Sequence, residues 1–150
     1  MKTVWKPNVT VAAVAELEGR FLLVEERTED GILFNQPAGH LEPGESLIEG
    51  ARREALEETT YDFFPEFLVG VYRWHEPDAQ TTYLRFAFSG RIGRHHPQRA
   101  LDEGIVRCVW LTPAEIVSSR ARHRSPLVLR CVEDYLRGNR FSLDLLVHYD

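Results

Sequence analysis

Apolar residues in this chain come in short runs separated by turn-forming residues, a pattern typical of β-strands. Residues 9–14 and 21–24 form two such runs, and Glu18-Gly19 between them has the composition of a tight turn. These segments predict a hairpin near the N-terminus. Runs rich in β-branched and aromatic residues predict further strands at residues 67–72, 82–88 and 105–110, with loops at Pro77-Asp78 and across the polar stretch 91–103.

Three segments carry the capping signals that open helices. Residues 46–49 have the serine and glutamate of a capping box, and the helix they open is predicted to run to about residue 59. Residues 112–115 repeat the box with a proline at the first helical position. Ser125-Pro126 opens a third helix, which Gly138 should close. Strands and helices in this order predict an α/β (α+β) fold in which a mixed sheet carries a few helices.

The length and composition are those of one domain, which we place at residues 1–150. The 150 residues are 43% hydrophobic and 27% charged, close to the average of globular chains and unlike disordered or collagen-like ones. The longest wholly apolar run, residues 11–15, is far shorter than the roughly 18 residues of a membrane span. Lys2 and Pro7 interrupt the region where an export signal has its apolar stretch, so we expect a cytoplasmic protein without a membrane partner.

Acidic residues outnumber basic ones by 23 to 18, which gives a net charge of -5. That balance argues against the broad positive surface that a nucleic-acid polymer requires, although small anions can still bind through a metal ion. Cys108 and Cys131 have apolar neighbours and no CxxC spacing, so we interpret them as buried free thiols rather than a disulfide or a zinc site. We interpret His95-His96, in the polar stretch, as surface residues rather than metal ligands.

The predicted helix after residue 46 carries an acidic stripe. Glu54, Glu57 and Glu58 fall within an arc of about 100°, beside a stripe of apolar residues that can pack. An acidic stripe is usually a solvated face, but like charges at i,i+4 cost a few tenths of a kcal/mol, roughly, and Glu54 and Glu58 have that spacing. A hard divalent cation reverses the penalty. We therefore interpret the stripe as a platform for Mg²⁺, which prefers oxygen ligands, with Mn²⁺ as the alternative ion.

The residues around this stripe resemble the Nudix hydrolase family. The box of that family is matched at its first glycine and at all its charged positions by Gly39, Glu45, Arg53-Glu54 and Glu57-Glu58, with intervals of five, seven and two residues. A chance match has a probability on the order of 10⁻⁷ per starting position, because each residue type has a frequency of roughly 7%. The box is therefore a specific signal for the family.

Two positions of the box depart from the family's pattern. Ala55 replaces the usual larger aliphatic residue, and Thr60 stands where the box closes with glycine. A β-branched residue disfavours the left-handed conformation that ends many helices. We therefore expect the exit from this helix to differ from the family's.

Segments outside the box resemble the NudJ branch of the family. They are residues 35–42 before the box, residues 84–86 in a predicted strand and residues 124–128 near the end. With them the resemblance covers nearly the whole chain. It implies the Nudix-type fold, in which a mixed β-sheet is sandwiched between helices.

The resemblance also implies roles for residues of the box. Glu54, Glu57 and Glu58 would be the catalytic carboxylates and ligate magnesium, with the carbonyl of Gly39 as a backbone ligand. Arg53 and Glu45 would form a structural ion pair that ties the box loop to its helix, and the alternative is a surface pair that contributes less than about 1 kcal/mol.

The reaction implied is attack of a metal-activated water on a phosphorus atom of a diphosphate. The family does not fix the general base, since some members use a box glutamate and others a carboxylate from a later loop. We favour Glu54, with Asp102 and Glu103 as alternates; ordinary solvation of the loop is the other explanation for those two residues.

Branch resemblance implies a small-molecule partner: nucleoside tri- and diphosphates, hydrolysed toward the monophosphate with release of phosphate, and also hydroxymethylpyrimidine diphosphate and thiamine diphosphate. Phe34, Trp74 and Tyr83 are candidates for stacking on a base or pyrimidine ring, with core packing as the alternative. Arg85 is a candidate for a phosphate contact, with a cross-strand ion pair as the alternative. We expect the protein to act as a monomer.

Three other functions compete with this interpretation. Within enzymes, the substrate could be ADP-ribose or another nucleoside-diphosphate sugar, or an oxidised nucleotide. A different class is a non-catalytic Nudix module that binds a nucleotide without cleaving it. Loss of box glutamates would indicate such a module, and every one of them is present here.

Overall fold

The structure is a computed structural model that describes residues 2–150. Within that range lie nine strands and three helices. The strands are β1 Asn8–Val14, β2 Glu16–Leu17, β3 Arg20–Thr28, β4 Gly31–Asn35, β5 Ala38–His40, β6 Tyr61–Glu76, β7 Thr81–His95, β8 Ile105–Leu111 and β9 Phe141–Ser142. The helices are α1 Leu47–Thr59, α2 Pro113–Ser118 and α3 Leu127–Leu136. None of them is long and apolar enough to cross a lipid bilayer.

The strands form two sheets. In the first the order is β5-β1-β7-β6-β9, and it is mixed because β1 and β7 are parallel while the other pairs are antiparallel. In the second, β3 pairs with β2, β4 and β8. The predicted α/β architecture with a mixed sheet is therefore confirmed.

The predicted hairpin of the first two apolar runs is wrong in its pairing. The turn at Glu18-Gly19 forms, but it joins β3 to the two-residue strand β2, with Leu17 opposite Arg20. β1 instead lies between β5 and β7 in the other sheet. All residues from Val11 to Ala15 are buried, as expected for a strand covered on both faces and paired on both edges.

Other boundaries also differ from the predictions. β6 and β7 are far longer than the runs 67–72 and 82–88, and β7 extends to His95, so the first third of the polar stretch 91–103 is strand. Where β6 and β7 extend beyond the predicted runs, the guanidinium groups of Arg52 and Arg91 lie over the ring of Phe64, and these cation–π contacts stabilise the strand pair. The third helix begins at Leu127, after Pro126, rather than at Ser125.

Two hydrophobic clusters hold the elements together. One packs α3 against both sheets and contains Val128 and Val132, and the other packs α1 against β6 and β7. Ala51 and Ala55 are the buried contacts of α1 in the second cluster, so the small residue at position 55 lets the helix approach the sheet. Both predicted capping boxes are present. Cys108 and Cys131 are free thiols, as predicted, but only Cys131 is buried, whereas Cys108 is partly exposed.

The exit from α1 contradicts the expectation for Thr60. This residue adopts the left-handed conformation, with φ 65° and ψ 13°, and its N–H donates to the carbonyl of Leu56. The helix therefore ends as it would with glycine, despite the β-branched side chain. Buried surroundings hold the strained conformation in place, since Thr60 is 5% exposed and its hydroxyl donates to the carbonyl of Thr59.

We predict that Thr60→Gly raises the free energy of unfolding by about 0.5–1 kcal/mol, because a left-handed L-residue costs roughly 1–2 kcal/mol and glycine's added chain entropy cancels only part of that. Thr60→Ala is the matched control, since it also removes the side-chain contacts but keeps the Cβ. Urea unfolding should place the glycine variant above the alanine variant by about 1 kcal/mol. Equal stability of the two variants would show that the turn is not strained.

Candidate active site

Arg53 ties the loop before α1 to the helix itself. Its Nε and Nη2 donate to the two carboxylate oxygens of Glu45 at 2.9 and 2.7 Å, and Nη2 also donates to the carbonyl of His40 at 3.0 Å. Glu45 in turn accepts from the backbone N–H of Glu42 at 2.8 Å. The side chains of Arg53 and Glu45 are only 20% and 13% exposed, so this bidentate pair is not an ordinary surface ion pair.

The same guanidinium reaches the acidic stripe. Nη1 of Arg53 donates to Glu54 at 2.7 Å and to Glu57 at 3.3 Å. Hydrogen bonds from Arg53 lower the pKa of the Glu45 carboxyl, although burial opposes them. One cation thus fixes the positions of three carboxylates.

Three carboxylates converge at the C-terminal part of α1. One oxygen each of Glu54, Glu57 and Asp102 lies within 4.8 Å of the others. Asp102 is in the loop before β8, and its backbone N–H donates to the carbonyl of Glu57 at 3.0 Å. That hydrogen bond anchors the loop to the helix, and it brings to the cluster a residue that the sequence suggested only as an alternate base.

Glu58 lies apart from this cluster. Its Oε1 accepts from the backbone N–H of Ala38 at 2.9 Å, on β5. Burial raises the pKa of its carboxyl to about 9, and the charges of Glu26 and Glu54 act in the same direction. The role of Glu58 as a metal ligand stays a prediction.

Gly39 is required by a close approach. It lies in β5, opposite Val11 of β1, and a Cβ at this position would collide with the carboxylate of Glu54. A side chain at the first residue of the box would therefore displace the Glu54 carboxylate from its position. This contact places the backbone of β5 against the acidic cluster, while the predicted ligation through the Gly39 carbonyl stays a prediction.

The donor set fits a hard divalent cation. Burial raises the pKa values of the Glu54 and Glu57 carboxyls, and the negative charge of Asp102 raises both further. A cation among these oxygens would reverse that repulsion, and carboxylate oxygens are the ligands that Mg²⁺ and Mn²⁺ prefer. The residues that could hold the ion are Glu54, Glu57 and Asp102.

A cavity of about 460 Å³ opens beside the cluster. Of the predicted site residues, Gly39, Glu54, Glu58, Trp74, Tyr83, Arg85 and Glu103 line it. Trp74 and Tyr83 face each other across β6 and β7, with stacked rings whose centroids are 5.9 Å apart. Their placement offers an aromatic wall to a flat ring.

Arg85 lines the cavity without forming the cross-strand ion pair considered above. Its guanidinium donates to the side-chain oxygens of Gln36 at 2.9 Å and Asn35 at 3.0 Å. Among residues 2–150, no carboxylate oxygen comes within 4.0 Å of it. The residue is only 6% exposed, so this is a buried cation held by neutral amides.

The prediction that Phe34 stacks on substrate is wrong. Phe34 is 6% exposed and belongs to the core cluster that contains α3, with the guanidinium of Arg122 over its ring at 4.4 Å. Side chains alternate along a strand, and the next residue of β4, Asn35, faces the cavity. Phe34 is therefore turned to the opposite side.

Sequence reasoning also missed several residues of the cavity. Glu26 on β3, Asn35 on β4, and Arg124 and Ser125 before α3 all line it. Three of these lie in the segments that resemble the NudJ branch, namely residues 35–42 and 124–128. The resemblance identified those segments, but the local sequence did not indicate the direction in which their side chains would point.

Known proteins are similar to this chain over most of its length. A family model described as NUDIX domain matches residues 5–130. Proteins named Phosphatase NudJ, from Escherichia coli and Shigella flexneri, are 40% identical over 142 residues, which is 95% of this chain and 92% of theirs. The solved structure of a NUDIX hydrolase from Nitrosomonas europaea is 54% identical, with a TM-score of 0.94 over 96% of this chain and 98% of that one.

More distant structures share the fold alone. An ADP-ribose pyrophosphatase from Streptococcus suis is 18% identical, with a TM-score of 0.65 over 91% of this chain and 97% of that one. At that identity, the shared fold carries no information about substrate.

Proposed function

The chain belongs to the Nudix hydrolase family, and we propose that it is a magnesium-dependent hydrolase of diphosphate bonds in small nucleotides, with Mn²⁺ able to replace Mg²⁺. The observation that carries the proposal is the convergence of Glu54, Glu57 and Asp102 at the edge of an aromatic-walled cavity. A carboxylate cluster without a cavity, or a cavity without carboxylates, would support only a binding function.

The residues of the box hold the reacting end of the substrate. Glu54, Glu57 and Asp102 would bind the ion, with Glu58 and the Gly39 carbonyl as further ligands implied by the family. A divalent cation bound there supplies a water of lowered pKa and neutralises phosphoryl charge. Arg53 keeps the carboxylates in place through its bonds to Glu45 and Glu54.

We propose Glu54 as the general base. It is the carboxylate that belongs to the cluster and also lines the cavity, whereas Glu57 and Asp102 do not line it and Glu103 is outside the cluster. Its Oε1 accepts a hydrogen bond from Arg53 and keeps a second lone pair with which to bind the ion, so Oε2 is the oxygen that takes a proton from the attacking water. A base must be within hydrogen-bond reach of that proton, and this position satisfies the requirement best.

The substrate class follows from the branch and the cavity. Forty per cent identity to Phosphatase NudJ supports stepwise removal of phosphate from nucleoside tri- and diphosphates, and also activity on hydroxymethylpyrimidine diphosphate and thiamine diphosphate. Trp74 and Tyr83 would stack on the ring. The proposal also places the enzyme in the cytoplasm, where small nucleotides are available as substrates.

We predict that Glu57→Gln and Glu58→Gln each lower kcat at least about 100-fold, because each removes a charge that the metal requires. Without metal, the stability of Glu57→Gln should rise slightly, since the change relieves repulsion within the stripe. The stability of Glu58→Gln should hold, because burial already raises the pKa of this carboxyl to about 9 and keeps it mostly neutral. The matched control is Glu66→Gln, an exposed carboxylate on β6, which should keep wild-type kcat. Full activity of both variants, or of the wild type in excess chelator, would refute the metal assignment.

The pH dependence of kcat identifies the base. We expect the acid limb of the profile to disappear in Glu54→Gln and to survive in Glu103→Gln and Asp102→Asn, because only the first substitution removes the group that takes the proton. If the acid limb of the kcat profile survives in Glu54→Gln and is lost in Glu103→Gln or Asp102→Asn, the loop residue whose variant loses it is the general base.

The product distribution tests the function as a whole. With Mg²⁺ and a nucleoside triphosphate, we predict orthophosphate as the first product, a nucleoside diphosphate intermediate and little cleavage of ADP-ribose. Ion-exchange chromatography of early time points, with orthophosphate and diphosphate measured separately, shows the order of release. Diphosphate released together with the monophosphate from the start would contradict the branch assignment but leave the family assignment intact.

A further inference from the structure

The cavity has a second polar end, formed by Glu26, Asn35 and Arg85. The side-chain amide of Asn35 joins the other two, since its Nδ2 donates to Oε1 of Glu26 at 3.3 Å and its Oδ1 accepts from Nη2 of Arg85 at 3.0 Å. Glu26 and Arg85 both line the cavity. A carboxylate and a guanidinium are thus presented side by side, held by one amide.

The orientation of this pair is fixed from behind. Gln36 is 1% exposed, and its Nε2 donates to the carbonyl of Val128 at 2.7 Å, which leaves its Oε1 to accept from Nη1 of Arg85. The amide cannot flip without losing both hydrogen bonds. Arg85 therefore presents a single edge to the cavity.

Both charged groups retain hydrogen-bonding capacity. A carboxylate can accept about four hydrogen bonds, and Glu26 has only the 3.3 Å contact from Asn35 and a 3.5 Å contact from Nε of Arg124. A guanidinium has five N–H groups; the oxygens of Gln36 and Asn35 accept from Arg85, and so does Sγ of Cys131, which is 3.9 Å from Nη1. The pair can accept one hydrogen bond and donate another to a ligand.

The aromatic wall lies next to this pair. Tyr83 and Arg85 are two residues apart on β7 and share a face, and Trp74 stands opposite Tyr83 on β6. The carboxylate end begins at β5, which is two strands away from β7 across β1. Two strand spacings are roughly 10 Å, a span that suits a heterocyclic ring at one end and its phosphate chain at the other.

A phosphate at Arg85 fits the structure less well. The phosphate would lie beside the carboxylate of Glu26, and the guanidinium of Arg124, 3.5 Å from that carboxylate, offsets only part of the repulsion between the two negative charges. A neutral ring avoids that repulsion. The Glu26 carboxylate is an acceptor and the Arg85 guanidinium beside it is a donor. Together they complement a ring edge on which an amino group lies next to an unprotonated ring nitrogen.

We propose that Glu26 and Arg85 read the substrate ring, the carboxylate accepting from an exocyclic amino group and the guanidinium donating to the adjacent ring nitrogen. This inference rests on the proposed function and names its substrate class: diphosphates of cytosine, adenine and other 4-aminopyrimidine-type rings. Uracil and hypoxanthine present a carbonyl and an N–H at these two positions. Their carbonyl would face the Glu26 carboxylate, which is also an acceptor, and their N–H would face the Arg85 guanidinium, which is also a donor.

The test compares paired substrates on the same enzyme preparation. The ratio of kcat/KM for CTP over UTP, and for ATP over ITP, should be about 10 or more in the wild type, since two matched hydrogen bonds discriminate at that level. In Glu26→Gln the ratios should fall to within about two-fold of unity, because the amide can donate as well as accept. Ratios near unity in the wild type, or unchanged in this variant, would overturn the proposal.

Two variants and a binding measurement complete the design. Glu76→Gln removes a different carboxylate that lines the cavity and should leave both ratios unchanged. Arg85→Lys should lower the ratios, whereas an equal loss for all four substrates with unchanged ratios would indicate a phosphate contact and refute the ring assignment. Calorimetric binding of CMP and UMP without metal keeps this test separate from hydrolysis: tighter binding of CMP supports the ring assignment even if no substrate is cleaved, and equal affinity contradicts it.

Discussion

The active site depends on one half-buried cation. Arg53 contacts Glu45 and the His40 carbonyl on one side and Glu54 and Glu57 on the other. A pair with two hydrogen bonds and little exposure is far less screened than a surface pair, and removing the cation would leave several carboxylates without compensation. Arg53 therefore acts by positioning: it allows like charges to converge before a metal arrives, and it sets the distance between the loop and the helix.

The backbone also positions the carboxylates, through contacts that Arg53 does not make. The Glu54 carboxylate lies against Gly39, where a side chain would collide with it, and the loop that contains Asp102 is anchored through a hydrogen bond to the Glu57 carbonyl. The left-handed Thr60 directs the chain from α1 into β6 immediately after the carboxylates. Three main-chain constraints thus converge on one turn of helix. A strained backbone conformation persists when its buried surroundings hold it in place. This accounts for threonine at a position whose conformation suits glycine.

Local sequence predicted the parts of this arrangement that depend on local spacing. The capping boxes and the acidic stripe of α1 follow from intervals of three or four residues, and both are present. The pairing of Glu45 with Arg53, which the family resemblance implied, is present as well. Pairing over long distances was not predictable. β1 joins a sheet whose other strands all come later in the chain, and Asp102 enters the cluster from a loop more than forty residues away. The side-chain alternation that turns Phe34 inward depends on which face of β4 the rest of the fold covers.

The two ends of the cavity obey different physical rules, and this difference separates reaction from specificity. At the carboxylate end, the proposed mechanism depends on charge and on the ligand preference of the metal, so the same residues would serve any substrate with a diphosphate. At the end formed by Glu26, Asn35 and Arg85, the direction of each hydrogen bond matters, and a mismatched ring leaves buried polar groups unpaired. A motif shared across a family can therefore identify the chemistry, while in our proposal residues on β3, β4 and β7, outside the motif, determine which ring is accepted.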